Sequence, residues 1–339
     1  MDILPTKTSA KGNAFTVADF YEAGREALSL SLVGGGENMG RLIEEPIVNR
    51  PGLALTGFYD HFAWDRIQVI GNAEAAYLDS LSDEVRRRRV KALIEHKAFI
   101  FVFTNGRKPK AGEVAFAAKS GAVMLSTPMT TSAFTHHSAF VLEKLGAPTT
   151  SIYGTMVEVC GIGVLFEGDP GLGKSETALG LIKRGYALVA DDLTCIRKDV
   201  GNNLLFGSAA ESTAGFMEIR GIGIMHVQSI FGVSAVRGEK RLGLIVTFKR
   251  LDDVKGEIDR VGQTRRTKTI LGVDVPNIII PVSAGRDLVN LVETAAMQQK
   301  LIMSGYDPVE ELSERLRKRA DIMQSDKKEK SKRKGKRNG

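Results

Sequence analysis

Eight residues constrain this chain more than any others: Gly168-Asp169-Pro170-Gly171-Leu172-Gly173-Lys174-Ser175, a run of the form GxxxxGK[ST]. Such a loop works only between a buried strand and the first turn of a helix. Its backbone N–H groups must converge on an anion while the helix N-terminus adds its positive end. Gly168, Gly171 and Gly173 permit the backbone angles that turn successive amides inward. Lys174 supplies a point charge for the outer phosphates, Ser175 offers its hydroxyl to magnesium, and Glu176 continues into the helix. With 36 glycines in the chain the pattern can arise by chance, so its flanks decide. Upstream, Gly163 to Glu167 reads as a short apolar strand ending a β-rich stretch that begins at Val157. Downstream, Glu176 to Arg184 places Leu179 and Ile182 three apart, ends in basic residues and stops at Gly185, as a helix does. Residues 168–176 are therefore expected to hold a nucleotide or polyphosphate.

At 339 residues and 43% hydrophobic content, the chain is long enough for two cores. In residues 1–147 the apolar runs 66–71, 98–103 and 121–125 alternate with helical patterns near 72–80, 82–96 and 111–119. That alternation predicts an α/β domain with a parallel-type sheet, followed by a connector at 126–131 and a linking helix over 132–147. Residues 148–323 carry the phosphate loop, and 324–339 form a basic tail. The last thirteen residues hold eight Lys or Arg and one Glu, which accounts for the net charge of +7; the rest has 39 basic and 39 acidic residues. The body is thus neutral and not expected to bind nucleic acid. The tail has too little apolar content to order itself and reads as a solvated appendage, with a polyanion such as RNA as the alternative. No stretch nears about 18 apolar residues and no basic-then-apolar leader is visible, so no membrane partner and a cytoplasmic location are expected. Cys160 and Cys195 lack metal or CxxC spacing and read as small core residues in a reducing compartment. Arg86 to Arg89 read as the wet face of a helix whose apolar side is Val85, Val90, Leu93 and Ile94, and His136-His137 as a surface pair.

Beyond the loop, Tyr186 to Ala190 is an apolar strand that ends in Asp191-Asp192. Neighbours in a strand point to opposite faces, so one acid should face the phosphates and the other take a separate role, unless the strand has already broken. The plain alternative is a turn or a helix cap. The run Phe216 to Ile224 has Gly221 and Gly223 inside it, implying a bend or close approach, and carries two unusual charges, Glu218 and Arg220. Glu218 is a candidate metal ligand, and an internal pair with Arg220 or Arg237 is the alternative.

These segments, taken in order, resemble the bacterial HPr kinase/phosphorylase family. The resemblance rests on GDPGLGKSETALGLIKRGYALVADD, MEIRGIGI, FGVSAVR, Asp259-Arg260-Val261-Gly262 and the run from Ile280 to Asp287. In the first domain, Asn49 to Phe58 and Arg66 to Gly71 match as well. It implies a two-domain α/β protein whose second domain is a kinase core similar to the nucleotide-binding core of phosphoenolpyruvate carboxykinase. The implied reaction is phosphorylation of a serine in the phosphocarrier HPr by ATP with Mg2+, or by pyrophosphate, and phosphorolysis by inorganic phosphate. Carried onto this sequence, Lys174 neutralises the transferring phosphoryl group, and Ser175 with Glu218 holds magnesium. One acid of the pair, Asp192 in preference and Asp191 beside it, moves the serine proton. Arg260 stabilises charge in transfer, and Gly285-Arg286-Asp287 stands where the family has GRN, a segment tied to phosphorolysis. Docking of HPr is expected around the phosphate loop, the segment after Arg237 and the C-terminal helix; 288–303 and 308–323 both read as helices, and the basic side of 308–323 suits an acidic partner or is an ordinary surface face. The resemblance also implies a homohexamer.

Two departures matter. Asp287 replaces the asparagine of GRN, and Tyr153-Gly154 replaces the usual His-Gly. A free tyrosine titrates near pH 10 and cannot share a proton as imidazole does, although it can donate a hydrogen bond to an aspartate. A working kinase with less secure phosphorylase activity is therefore expected. The alternatives are a regulatory nucleotide-binding protein with little turnover and a small-molecule kinase.

Overall fold

Strands buried on both faces must be apolar throughout, and the runs 67–70, 100–103 and 123–126 are buried at every position, as a sheet covered by helices on both sides requires. The computed structural model describes residues 14–254, 266–283 and 285–319, which form two compact units meeting between Pro148 and Thr149. The chain is a two-domain α/β protein.

In the first unit, Val48–Asn49, Ile67–Ile70, Ile100–Phe103 and Val123–Ser126 lie side by side in parallel, and Ser31–Gly34 adds an antiparallel edge. The expected parallel sheet is thus parallel with one antiparallel border strand. Side chains alternate between two cores: Ile67, Val69, Ile100 and Val102 face Phe20, Phe134 and Leu142, while Ile70, Phe101 and Phe103 face Leu78, Val90 and Leu93. The helices Asn72–Asp79, Asp83–Glu95, Ala111–Lys119 and Thr131–Gly146 follow the sequence pattern to within a few residues.

One expectation fails here. Arg86 is not on the wet face: it is 4% exposed, and its guanidinium donates to Glu113 at 2.6 and 3.3 Å and to Asp79 at 2.5 Å. The hydrogen bonds to Glu113 outweigh burial and raise its pKa further. Arg87 and Arg88 are exposed as expected, and so are His136 and His137.

The second unit is built on one long strand, Glu239–Arg250. Its first residues pair antiparallel with Leu204–Ala209, while its later ones run parallel between Ile162–Glu167 and Val273–Val282. The hairpin Leu193–Asp199 with Leu204–Ala209 and the strand Thr149–Tyr153 continue one branch; Thr155–Val159 and Ala187–Ala190 continue the other. Alternation along the central strands then creates two cores. Val164 and Phe166 pack with the helices Lys174–Lys183 and Leu288–Met303, and Leu165 packs with Met156, Ile196 and Ile245. Cys160 and Cys195 are free but only half-buried, since Cys160 lies in a turn with φ +52° and Cys195 in the hairpin; they are not core residues. Among the described residues, no helix is long and apolar enough to cross a membrane.

Candidate active site

The strand Ile162–Glu167 delivers the chain into the phosphate loop, and the helix begins at Lys174, two residues earlier than the sequence pattern suggests. Lys174 and Ser175 therefore occupy the first helical turn, where the free N–H groups and the helix dipole favour anions. Gly168, Gly171 and Gly173 have φ of +136°, +83° and +86°, the left-handed region that other residues rarely enter. At Gly168 space is closed as well: a Cβ there would lie 2.4 Å from the carbonyl oxygen of Phe248. The Lys174 ammonium donates to the carbonyls of Gly168 (2.7 Å) and Asp169 (3.1 Å), which holds it across its own loop.

The two acids separate as the broken-strand alternative required. The strand ends at Ala190, and Asp192 takes φ +63°, so the pair does not alternate across a regular ladder. Asp191 turns inward: its Oδ1 accepts from Thr155 Oγ1 (2.7 Å) and Ser175 Oγ (3.2 Å), and its Oδ2 accepts from the Glu218 amide (3.0 Å). One carboxylate thus ties together the strand Thr155–Val159, the loop helix and the hairpin Phe216–Ile219/Gly223–His226. Asp192 is exposed, and its side chain has no hydrogen-bond partner among the described residues. Only its backbone is held, by the Gly154 amide at 2.8 Å.

That bond places Tyr153 at the same corner, in register with Leu193. The phenol is 73% exposed and makes no hydrogen bond to Asp192 or any other described residue. Gly154 is required there, because a Cβ would sit 2.5 Å from the Phe166 carbonyl oxygen.

Glu218 and Arg220 form no ion pair with each other, and Arg237 is bound to Glu158 at 2.9 Å. The alternative of an internal pair is thus absent among the described residues. The Arg220 guanidinium lies 3.8 Å from the position a Cβ on Gly171 would take. Gly221 and Gly223, at φ +86° and +97°, make the bend that the sequence implied.

No three His, Cys, Asp or Glu side chains form a ready-made metal cage among the described residues. Ser175 Oγ and the Asp191 carboxylate, 3.2 Å apart, offer oxygen ligands of the kind magnesium takes, and the Glu218 backbone is tied to the same carboxylate. Nucleotide phosphates and water complete such a shell.

Arg286 donates to the Pro281 carbonyl at 3.1 Å, and Asp287 caps the helix Leu288–Met303 by accepting from the Asn290 amide at 3.0 Å. Asparagine and aspartate serve equally as N-caps, so this departure keeps the helix start intact. The helix packs on the loop helix, and a Cβ on Gly180 would lie 2.5 Å from Val289. Beyond the loop helix, Tyr186 donates to Glu293 at 2.8 Å, and Arg184 binds the same carboxylate. Cys160 and then Glu293, hydrogen-bonded to the phenol, push its ionisation well up. Arg260 and the tail 324–339 lie outside the described residues, as do residues 320–323 of the final predicted helix.

Sequence reasoning missed Thr155 and Thr194. Both are fully buried; Thr155 binds Asp191, and Thr194 Oγ1 donates to the Gly154 carbonyl at 2.8 Å. The signal was a hydroxyl at a strand position next to apolar residues, visible but not interpretable before its partner was placed.

Comparison with known proteins identifies the family. Residues 15–142 match the family described as HPr Serine kinase N terminus, and residues 144–316 match the HPr Serine kinase C-terminal domain. Similar curated proteins include the HPr kinase/phosphorylase of Leptospira biflexa serovar Patoc, 41% identical over 290 residues, covering 85% of this chain and 90% of the relative. The HPr kinase/phosphorylase of Geobacter sulfurreducens is 37% identical over 309 residues, covering 91% and 96%. A solved structure, the Hpr(Ser) kinase/phosphatase from Coxiella burnetii, aligns with 48% of this chain and 97% of its own at 34% identity, with a TM-score of 0.44.

Proposed function

Because the chain belongs to the HPr serine kinase family, we propose that it phosphorylates a serine of HPr with ATP, or with pyrophosphate, and reverses this with inorganic phosphate. The observation that carries the reading is the split of the acid pair beside the phosphate loop: Asp191 is spent on holding Ser175 and the Glu218 backbone, and the exposed Asp192 side chain has no partner among the described residues.

Phosphoryl transfer asks little covalent chemistry of the protein, so positioning and charge dominate. The loop amides and Lys174 fix the outer phosphates. Asp192 takes the proton of the attacking serine hydroxyl as its oxygen bonds to phosphorus and the bond to ADP breaks. In reverse, phosphate attacks the phosphoserine phosphorus, and Asp192 returns the proton to the departing serine oxygen, giving pyrophosphate. Ser175 and Glu218 would hold magnesium, which would offset the negative charge of the phosphates. Arg220 and, by resemblance, Arg260 add positive charge at the transferring group, and Arg286 serves the reverse direction. The resemblance further supports a nucleotide core similar to that of phosphoenolpyruvate carboxykinase, a hexamer and a cytoplasmic location.

Incubation with ATP, Mg2+ and HPr should yield phosphoserine on HPr; incorporation no greater than that of Lys174→Ala refutes the proposal. Tyr153 favours one second reading, a regulatory nucleotide-binding protein, which predicts ATP binding without phosphoserine. A small-molecule kinase would instead turn over ATP with metabolites and ignore HPr.

A further inference from the structure

We infer that Thr155 is a positioning residue for the magnesium–nucleotide site, acting through Asp191 and Ser175. The inference rests on the proposed kinase reading and adds a residue that the motifs do not contain. Thr155 follows Tyr153-Gly154 on a strand whose first three positions are buried, and it is itself 1% exposed. A hydroxyl in such a place costs free energy unless it is satisfied. It donates to Asp191 Oδ1 at 2.7 Å, the shortest bond that this carboxylate makes among the described residues.

The consequence lies one atom further on. Ser175 Oγ donates its only proton to the same Oδ1, at 3.2 Å, so its lone pairs are left for a cation. That orientation exists only while Oδ1 stays put. An isolated aspartate rotates freely about its terminal torsion. Here the Glu218 amide pins Oδ2 and Thr155 pins Oδ1, which leaves one orientation. Removing the threonine hydroxyl frees the carboxylate to pivot about the Oδ2 contact, and the Ser175 proton is then no longer held away from the metal side. Thr194 braces the other strand of the corner by donating to the Gly154 carbonyl at 2.8 Å, so the peptide on which Thr155 is mounted is itself fixed.

The role is positional, since Thr155 is buried beneath Asp191 and reaches neither nucleotide nor protein substrate. The test uses the full chain and compares Thr155→Val, which keeps the shape and loses the donor, with Thr155→Ser, which keeps the donor and loses a methyl. ATP binding is measured by calorimetry, first with excess EDTA and then across a Mg2+ titration, alongside metal-free thermal melting. Thr155→Val should bind ATP in EDTA within twofold of wild type, with its half-saturating Mg2+ raised by at least about tenfold, the lower end for one hydrogen bond to a charged group. Thr155→Ser should stay within about threefold of wild type. In a Ser175→Ala background, Thr155→Val should add no further shift, because the two side chains act through one another.

An unchanged Mg2+ midpoint in folded Thr155→Val, a Ser variant as impaired as the Val variant, or additive shifts in the double mutant would each overturn the inference. If Thr155→Val does not fold, Thr155→Ala is compared with Thr155→Ser by the same criteria. Failure of both apolar variants to fold would place the hydroxyl in structural stability alone and overturn it too. A wild-type protein whose ATP binding gains nothing from Mg2+ overturns the kinase reading together with this one; a normal wild-type response left intact in Thr155→Val overturns this one alone.

Discussion

Replacing Asp191 and Asp192 by alanine, one at a time, should separate stability from turnover. Asp191→Ala removes the acceptor of three hydrogen bonds, from Thr155 (2.7 Å), Ser175 (3.2 Å) and the Glu218 amide (3.0 Å). A hydrogen bond to a charged group contributes about 1.5–3 kcal/mol, and a half-exposed site lets water replace part of each, which brings the expected loss to about 2–4 kcal/mol. For a unit of roughly 150–250 residues this lowers Tm by about 5–15 °C. Asp192→Ala deletes an exposed carboxylate without a partner among the described residues and leaves the backbone bond to Gly154 in place. Its cost is the greater strain of alanine at φ +63°, about 1 kcal/mol or less. Its effect on catalysis should be large, because general acid–base transfer contributes about 10²–10⁴-fold. Thermal melting without ligand, ATP binding by calorimetry and phosphoserine formation on HPr read the three quantities separately. Asp192→Ala should melt near wild type, bind ATP and transfer almost nothing. Equal melting of the two variants, or an Asp192→Ala activity within tenfold of wild type, would refute the assignment.

Gly168→Ala puts a Cβ against the Phe248 carbonyl at a backbone angle alanine avoids, and ATP affinity should fall by at least about tenfold in a direct binding titration. Arg86→Ala strands Glu113, whose side chain is 1% exposed, and should cost about 3–5 kcal/mol in denaturant unfolding of the first domain. Arg86→Met with Glu113→Leu should recover most of that loss. Tyr153→His should raise the rate at which phosphorylated HPr and phosphate yield pyrophosphate; an unchanged rate would mean that the corner does not need an imidazole. Glu293 is held below the usual carboxylate range by the hydrogen bonds from Tyr186 and then Arg184. A depressed folded-state pKa adds stability above the ordinary glutamate value, about 4.3, that is lost as pH falls through the lower folded value. Melting of Glu293→Gln should therefore vary less with pH across that acidic range than melting of wild type.

The phosphate loop was legible because its information is local: three glycines, a lysine and a serine fix backbone angles and charges within eight residues. The helix Leu288–Met303 was equally legible from its own periodicity. Arg86 was not, because a run of four arginines gives no sign that one of them meets Glu113, 27 residues further on. The fate of Arg237 likewise depends on Glu158, 79 residues upstream. The long strand Glu239–Arg250 serves two branches of one sheet, a property of pairing and not of its composition. At Asp191-Asp192 the sequence posed the right choice, regular strand or broken strand, and the left-handed turn at Asp192 decided it.

The free corner at Asp192 also bears on how such a protein changes over generations. Packing, loop closure and the anchoring of Ser175 all pass through the residue before it, so selection for a folded nucleotide-binding protein places almost no demand on the Asp192 side chain. On the role proposed for Asp192, a lineage that no longer needs the transfer step can discard it by one substitution and keep a sensor of ATP. A lineage that needs it again can regain it just as directly. On that reading an enzyme and a switch stand one residue apart.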